Sequence, residues 1–224
     1  MEFTLLLLMI LSANIQSVDI QPKEILKVTP KKISVSKKKK NFYKLFVPAI
    51  QIVHQELMQE YDLISQDINN SSNLVNIDAL KKEYKIKTNK ELLMALKPHP
   101  QSITLAQAAM ESGWATSRFF LEANNVFGMW SSNKNQQRIA AGEKRGGTQT
   151  IWLRKFDTIE DSIRAYYKLL ATAKAYKEFR ELKMQTKNPY ELVKKLDKYS
   201  EIGALYGEEL TKVIRYNNLI QYDK

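Results

Sequence analysis

Apolar residues recur at Phe42, Leu45, Phe46, Ala49, Ile50, Val53, Leu57 and Tyr61, which is the spacing of a helix with one buried stripe. The pattern predicts a helix from Phe42 to about Ile64. Pro48 falls inside it, so the helix either starts there, with proline in its first turn, or bends at that point. The run Asn69-Asn70-Ser71-Ser72-Asn73 closes it. A short helix is expected around Ile77 to Tyr84. Thr88 and Glu91 then stand at capping-box spacing for a helix to Leu96, which Pro98 stops.

The next stretch, AQAAMESGWATSRF from Ala106 to Phe119, reads as a helix with Leu105, Ala106, Ala109 and Met110 on apolar positions, ending near Ser112-Gly113. It sets a single carboxylate, Glu111, at the helix end. Two readings stand on spacing alone. Glu111 is a surface residue at a frayed end, or it is an acid among Met110, Trp114 and Phe119 that loses solvation, so that its pKa rises toward the range of a proton donor at neutral pH. By helical position Trp114 falls in the core. Thr116 or Ser117 caps a second short helix through Leu121, ended by Asn124-Asn125.

Between Ser131 and Phe156 the period changes. Gln136 to Ala140 and Gln149 to Phe156 are strand-like, with Gly142, Gly146 and Gly147 between them, so one hairpin is predicted. From Thr158 helical spacing returns through Leu170, with Thr158 and Asp161 at capping distance. Further helices are predicted over Ala175 to Met184, from Asn188-Pro189 through Leu196, and over Leu205 to Tyr216. No strands alternate with these helices, which excludes a doubly wound fold. The fold class is mainly α, with one small β-hairpin lobe.

Composition narrows the chemistry. The 224 residues contain no cysteine and two histidines, His54 and His99. A thiol-zinc site and a cysteine nucleophile are therefore excluded, and neither histidine has ligand or triad spacing. His99, between two prolines, reads as a loop residue, and His54 as one on an exposed helix side. No metal or cofactor is implied. The chain carries a net charge of +11. Residues 18–41 hold eight lysines against Asp19 and Glu24, and read as an extended, solvated Lys-rich linker suited to an anionic envelope surface. No RNA-recognition motif or base-stacking platform is present, so nucleic acid is not expected as a partner. The apolar run Phe3 to Leu11 is too short to span a bilayer and suits a signal peptide over residues 1–17 or a retained N-terminal anchor, although Glu2 stands where a basic residue is usual.

AQAAMESGWATSRF, followed by NNVFGMW (Asn124 to Trp130), RAYYKLL (Arg164 to Leu170), KAYKEFR (Lys174 to Arg180) and YSEIGALYGEEL (Tyr199 to Leu210), resembles the bacterial glucosaminidases of glycoside hydrolase family 73. The likeness is strongest to the Bax-type branch, and several separated motifs in order carry far more information than one short match. The resemblance implies a lysozyme-like helical domain over residues 98–224, preceded by a helical cap over 42–97, with the hairpin as one wall of a glycan groove. It implies an exported, cofactor-free enzyme that cleaves peptidoglycan glycan strands, with Glu111 as general acid.

A second carboxylate is implied on the β-lobe, where Glu143 is the candidate. Its neighbours Lys144 and Arg145 leave open that it is only a turn residue. Tyr199 and Tyr206 match the paired tyrosines of the family's C-terminal motif. Tyr199 is expected to face the acid, with Tyr206 at the substrate site or in the core. Asn125, Phe127 and Trp130 are expected to line the groove. Chemistry on the same fold could instead be that of a lytic transglycosylase or a muramidase, and a non-catalytic wall-binding module is the rival outside enzymes.

Overall fold

Helix α1 runs from Val35 to Asn70 without a break, in a computed structural model that describes residues 34–71, 73–145 and 149–223. Its start lies inside the stretch read as a linker, so residues 35–41 are helical rather than extended. The cause is partly local and partly tertiary. Ser34 accepts a hydrogen bond from the Lys37 amide at 3.3 Å, and lysine is a good helix former. Lys39 then reaches Asn217 Oδ1 at 2.6 Å and lies 4.8 Å from the centre of the Trp114 ring. The rest of the linker and the proposed leader over residues 1–17 lie outside the described residues.

Pro48 neither starts nor ends α1. Proline removes the hydrogen bond to the carbonyl four residues back, that of Lys44. Lys44 and Pro48 are both exposed, so water can satisfy that carbonyl. The buried stripe Phe42, Leu45, Phe46, Ala49, Ile50 and Val53 meanwhile holds the helix on the core. Burial at roughly 1.5–3 kcal/mol for each large apolar side chain exceeds the ~3 kcal/mol that an interior proline costs.

After α1, buried Asp67 turns the chain by accepting from the amides of Leu74 and Val75 at 2.9 and 3.2 Å. Helices α2 (Ile77–Tyr84) and α3 (Asn89–Leu96) follow, the latter opened by the Thr88/Glu91 capping box. Helix α4, Gln101–Glu111, is buried from its first residue to Ala109. Its small residues Ser102, Ala106, Ala108 and Ala109 let neighbours approach closely, and α1, the C-terminal helix α9 (Leu205–Tyr216) and the last turn (Leu219–Tyr222) all pack on it. Asp223 from that turn accepts from the Ser102 amide at 2.7 Å and its hydroxyl at 2.6 Å. A carboxylate there also complements the positive end of the α4 dipole.

Helix α5, Arg118–Ala123, leads into the hairpin. Strands β1 (Arg138–Arg145) and β2 (Gln149–Arg154) pair antiparallel, Arg138 opposite Arg154 and Ala140 opposite Trp152. The register shifts between Ala140 and Lys144, so Glu143 lies in a bulged part of β1. Helix α6, Ile159–Thr172, is capped by Thr158 accepting from Asp161, and packs on α1 and α3. The short helices α7 (Lys177–Leu182) and α8 (Pro189–Leu192) then lead to α9. One close approach fixes α9: a Cβ on Gly207 would sit 2.8 Å from the Val193 carbonyl oxygen, so only glycine fits. None of the helices among the described residues is long and apolar enough to cross a membrane.

Candidate active site

Glu111 is the last residue of α4, where the helix is ended by an uncommon turn. Gly113, Trp114 and Ala115 all have positive φ, at 57°, 60° and 64°. Two of the three carry a side chain, and a left-handed conformation costs such residues roughly 1–2 kcal/mol each. Ser112 offsets part of that. Its buried hydroxyl donates to the Ala108 carbonyl at 2.5 Å and accepts from the Ala115 amide at 2.9 Å. Trp114 is half-buried rather than in the core proper, and packs edge-on against Phe42 and Tyr43 of α1. The turn stops α4 abruptly and leaves the Glu111 side chain partly exposed.

The Glu111 carboxyl receives a hydrogen bond from the Tyr206 hydroxyl, 2.7 Å from Oε1. Burial pushes its pKa above the ordinary carboxylate range, and the Tyr206 hydrogen bond opposes part of that rise. The tyrosine that touches the acid is therefore Tyr206, not Tyr199. Tyr206 is also a core residue, only 2% exposed. Tyr199 stacks on the Tyr206 ring, 5.5 Å between centres and 10° from parallel, and its hydroxyl lies 3.5 Å from the Phe127 carbonyl. The geometry follows from the helix: residues 205–216 are helical, so Tyr206 sits in the first turn of α9 facing α4, while Tyr199 precedes that helix.

A chain of buried polar groups continues behind Tyr206. The Gln107 Nε2 group donates to the Tyr206 oxygen at 3.0 Å, and the Tyr166 hydroxyl donates to Gln107 Oε1 at 2.5 Å. His99 Nε2 lies 3.0 Å from the Tyr166 oxygen and 3.0 Å from Thr104 Oγ1, which in turn meets the Tyr167 hydroxyl at 2.8 Å. His99 is thus a buried residue on its loop, and burial holds its pKa well below that of free histidine. His54, expected on an exposed helix side, is half-buried and bonds to the His99 backbone. Sequence reading missed Gln107 and Tyr166. The signal for Gln107 was its place four residues before Glu111, on the same helix face, in a segment otherwise small or apolar.

Two expected groove residues are internal instead. Asn125 is 1% exposed and its amide is fully used: Nδ2 donates to the Met129 and Arg154 carbonyls and Oδ1 accepts from the Met129 amide, all within 2.8–2.9 Å. It pins the loop after α5 to β2. Phe127 is buried and stacks on Tyr166 with 4.1 Å between ring centres. Trp130 is 64% exposed and bridges to Leu153 of β2. The side chain of Glu143 lies outside the described residues. Among the described residues, no group of three or more His, Asp or Glu side chains is placed to hold a metal. A cavity of about 400 Å³ lies elsewhere, lined by Glu60, Tyr84, His99, Lys168 and Lys183 among others, and Glu111 is not on its wall.

Similarity to known proteins covers the same residues. The family model for glucosaminidase, described as mannosyl-glycoprotein endo-beta-N-acetylglucosaminidase, matches residues 86–219, a span that includes Glu111, Glu143, Tyr199 and Tyr206. Protein bax of Escherichia coli (strain K12) is 32% identical over 124 residues, which are 53% of this chain and 43% of that protein. The chain therefore spans under half the length of that relative. The catalytic domain of the autolysin Auto from Listeria monocytogenes has a similar fold, with a TM-score of 0.51 at 17% identity over 94% of this chain and 100% of that one. An N-acetylmuramoyl-L-alanine amidase from Staphylococcus aureus gives a TM-score of 0.51 at 16% identity, over 84% and 44% of the two chains. The family match over more than half of the sequence, on a helical lysozyme-like fold with a single two-stranded sheet among the described residues, shows that this chain belongs to the glucosaminidase family.

Proposed function

We propose that the chain hydrolyses the glycan strands of peptidoglycan as an endo-acting β-N-acetylglucosaminidase, with Glu111 as general acid. One observation carries the reading: a partly exposed carboxyl at the end of a buried helix, its pKa raised by burial, with one oxygen held by Tyr206. The carbonyl oxygen of a carboxylic acid is its better acceptor, so a hydroxyl donating to Oε1 favours the acid proton on Oε2. That proton passes to the glycosidic oxygen as the bond to the anomeric carbon breaks. Glu111 is left as a carboxylate, and the Tyr206 hydrogen bond strengthens as that charge forms, which selectively stabilises the transition state.

The positive charge developing on the sugar needs a partner. Either the carboxylate of Glu143 supplies it, or the carbonyl oxygen of the sugar's own 2-acetamido group attacks the anomeric carbon. In the second route water then displaces the acetamido oxygen from that carbon, breaking the bond it had formed, and carboxylate Glu111 takes the proton of the water. Exposed Trp130 offers an aromatic face to the apolar side of a sugar ring. The lysines at 37–40 on the first turns of α1 add a cationic surface for an anionic envelope, and the N-terminal segment serves export.

The test is mass spectrometry of products from purified sacculi. Soluble muropeptides with reducing N-acetylglucosamine ends, lost in Glu111→Gln while the fold is kept, support the proposal. Reducing N-acetylmuramic acid ends indicate a muramidase, anhydro-muramyl ends a lytic transglycosylase, and no release at all a binding module.

A further inference from the structure

We infer that Gln107 and Tyr166 are positioning residues that aim the Tyr206 hydroxyl at Glu111, so that the acid proton faces the substrate and not the protein interior. The inference rests on the reading of Glu111 as the acid, and extends it to side chains that never touch the sugar.

The direction of these bonds follows from a count of protons. Tyr206 has one, and it can go to Glu111 or to Gln107. Because Gln107 presents its Nε2 group to the Tyr206 oxygen at 3.0 Å, that direction already holds a donor, and the tyrosine proton is sent to Glu111. The amide could in principle be turned over, with Oε1 toward Tyr206. The Tyr166 contact agrees with the orientation stated, its hydroxyl donating to Gln107 Oε1 at 2.5 Å. With His99 in its Nε2–H tautomer the order is complete, since the Tyr166 oxygen then accepts from His99 Nε2 at 3.0 Å. In that tautomer each donor from His99 onward points toward Glu111.

With the amide reversed, Tyr206 would give its proton to Gln107 Oε1. A protonated Glu111 would then donate to Tyr206, directing its proton inward, away from any glycosidic oxygen. Gln107 has no exposed surface and Tyr166 none, so no water competes for these bonds.

The titratable groups facing this chain come from every element around it. They are Tyr206 on α9, Tyr199 before it, Tyr176 between α6 and α7, Tyr166 and Tyr167 on α6, and His99 ahead of α4, with Lys183 and His54 acting on His99. Burial keeps the tyrosines protonated and His99 neutral, and it raises the Glu111 carboxyl above its ordinary range.

The experiment compares the full chain with Gln107→Met, Gln107→Glu and Tyr166→Phe on purified sacculi, with kcat, KM and the pH profile as readouts. Gln107→Met should lower kcat roughly tenfold with KM held, as expected when a catalytic group loses its orientation and binding is untouched. Gln107→Glu gives the more diagnostic result. Its protonated form keeps one donor and one acceptor in place, and so restores kcat at acid pH. Since position 107 has no exposed surface, burial keeps that carboxyl protonated to higher pH than Glu111, so the wild-type pH profile should return together with kcat. Tyr166→Phe, which keeps the ring stacked on Phe127, should lower kcat less.

A Gln107→Glu kcat roughly tenfold below wild type at acid pH, or a Gln107→Met kcat equal to wild type, overturns the inference. If Gln107→Met does not fold, the Gln107→Glu kcat and the Tyr166→Phe kcat decide it. Equal release by wild type and Glu111→Gln, or none by either, overturns the acid and the relay together; an inactive Glu111→Gln beside an unaffected Gln107→Met overturns the relay alone.

Discussion

Replacing Tyr206 by phenylalanine isolates one oxygen atom on which acid and fold both depend. The hydroxyl donates to Glu111 Oε1 at 2.7 Å and accepts from Gln107 Nε2 at 3.0 Å. Losing a hydrogen bond to a charged group costs about 1.5–3 kcal/mol, and the Gln107 amide left unpaired in the interior adds roughly 1–3 kcal/mol. Since the ring and its stack on Tyr199 remain, a total of about 2.5–6 kcal/mol is expected. For a folded unit of this size, about 2–4 °C per kcal/mol translates this into a fall in Tm of roughly 5–24 °C.

The loss depends on pH. It is greatest where Glu111 is ionised, because the hydrogen bond is then charge-assisted, and shrinks once the carboxyl is protonated. In the same variant the Glu111 pKa moves further up, because the Tyr206 hydrogen bond is what opposes the rise caused by burial. The assay is thermal denaturation at acid and neutral pH, beside muropeptide release over the same range. Tyr199→Phe is the internal control. Its hydroxyl has only a 3.5 Å contact with the Phe127 carbonyl, too long for a strong bond, so the expected cost is under about 1 kcal/mol. Equal losses in the two variants, or a Tyr206→Phe loss that does not change with pH, would refute the assignment of Tyr206 to the acid.

Other outcomes follow from the same geometry. Glu111→Gln should raise Tm at neutral pH, because a carboxyl with a folded pKa above its unfolded value costs stability wherever it must ionise; the gain vanishes below the unfolded pKa, where both states are neutral. Denaturation scans from acid to neutral pH check this. Gly207→Ala should cost about 1–3 kcal/mol and reduce muropeptide release together with stability, since the new Cβ meets the Val193 carbonyl at 2.8 Å and must push α9, with Tyr206, away from its neighbours. Lys183→Met should stabilise the fold at neutral and acid pH. The Lys183 amine is buried with its pKa lowered to about 7, so its protonation opposes folding below that value, and the advantage of Met fades as pH climbs toward the unfolded pKa of lysine.

Much of the molecule was legible because it obeys local rules. The apolar stripe from Phe42 to Val53, the Thr88/Glu91 and Thr158/Asp161 caps, the Asn188-Pro189 start and the period change that predicts the hairpin all appear where spacing and capping chemistry place them. Glu111 was legible for the same reason, as the only carboxylate in a small, apolar helix. Departures arose where a long-range contact outweighed a local preference. Helix α1 continues through Pro48 and starts at Val35 because its buried stripe, with Lys39 against Trp114, repays what the local sequence loses.

Periodicity and capping by themselves determined most of the helices, the hairpin and the place of Glu111 at a helix end, because backbone hydrogen bonding and the burial of one face act within a few residues. Which tyrosine reaches that acid was decided only by packing. Gly207 lets α9 lie close against the Val193 backbone, and the packing of α9 on α4 sets Tyr206, not Tyr199, against Glu111. The same packing turned Asn125 and Phe127 inward and joined His99, Tyr166 and Gln107, residues 8 to 67 positions apart along the chain, into one ordered set of hydrogen bonds. Bonds between side chains so distant in the chain depend on how whole helices dock, and no spacing rule in the sequence encodes that.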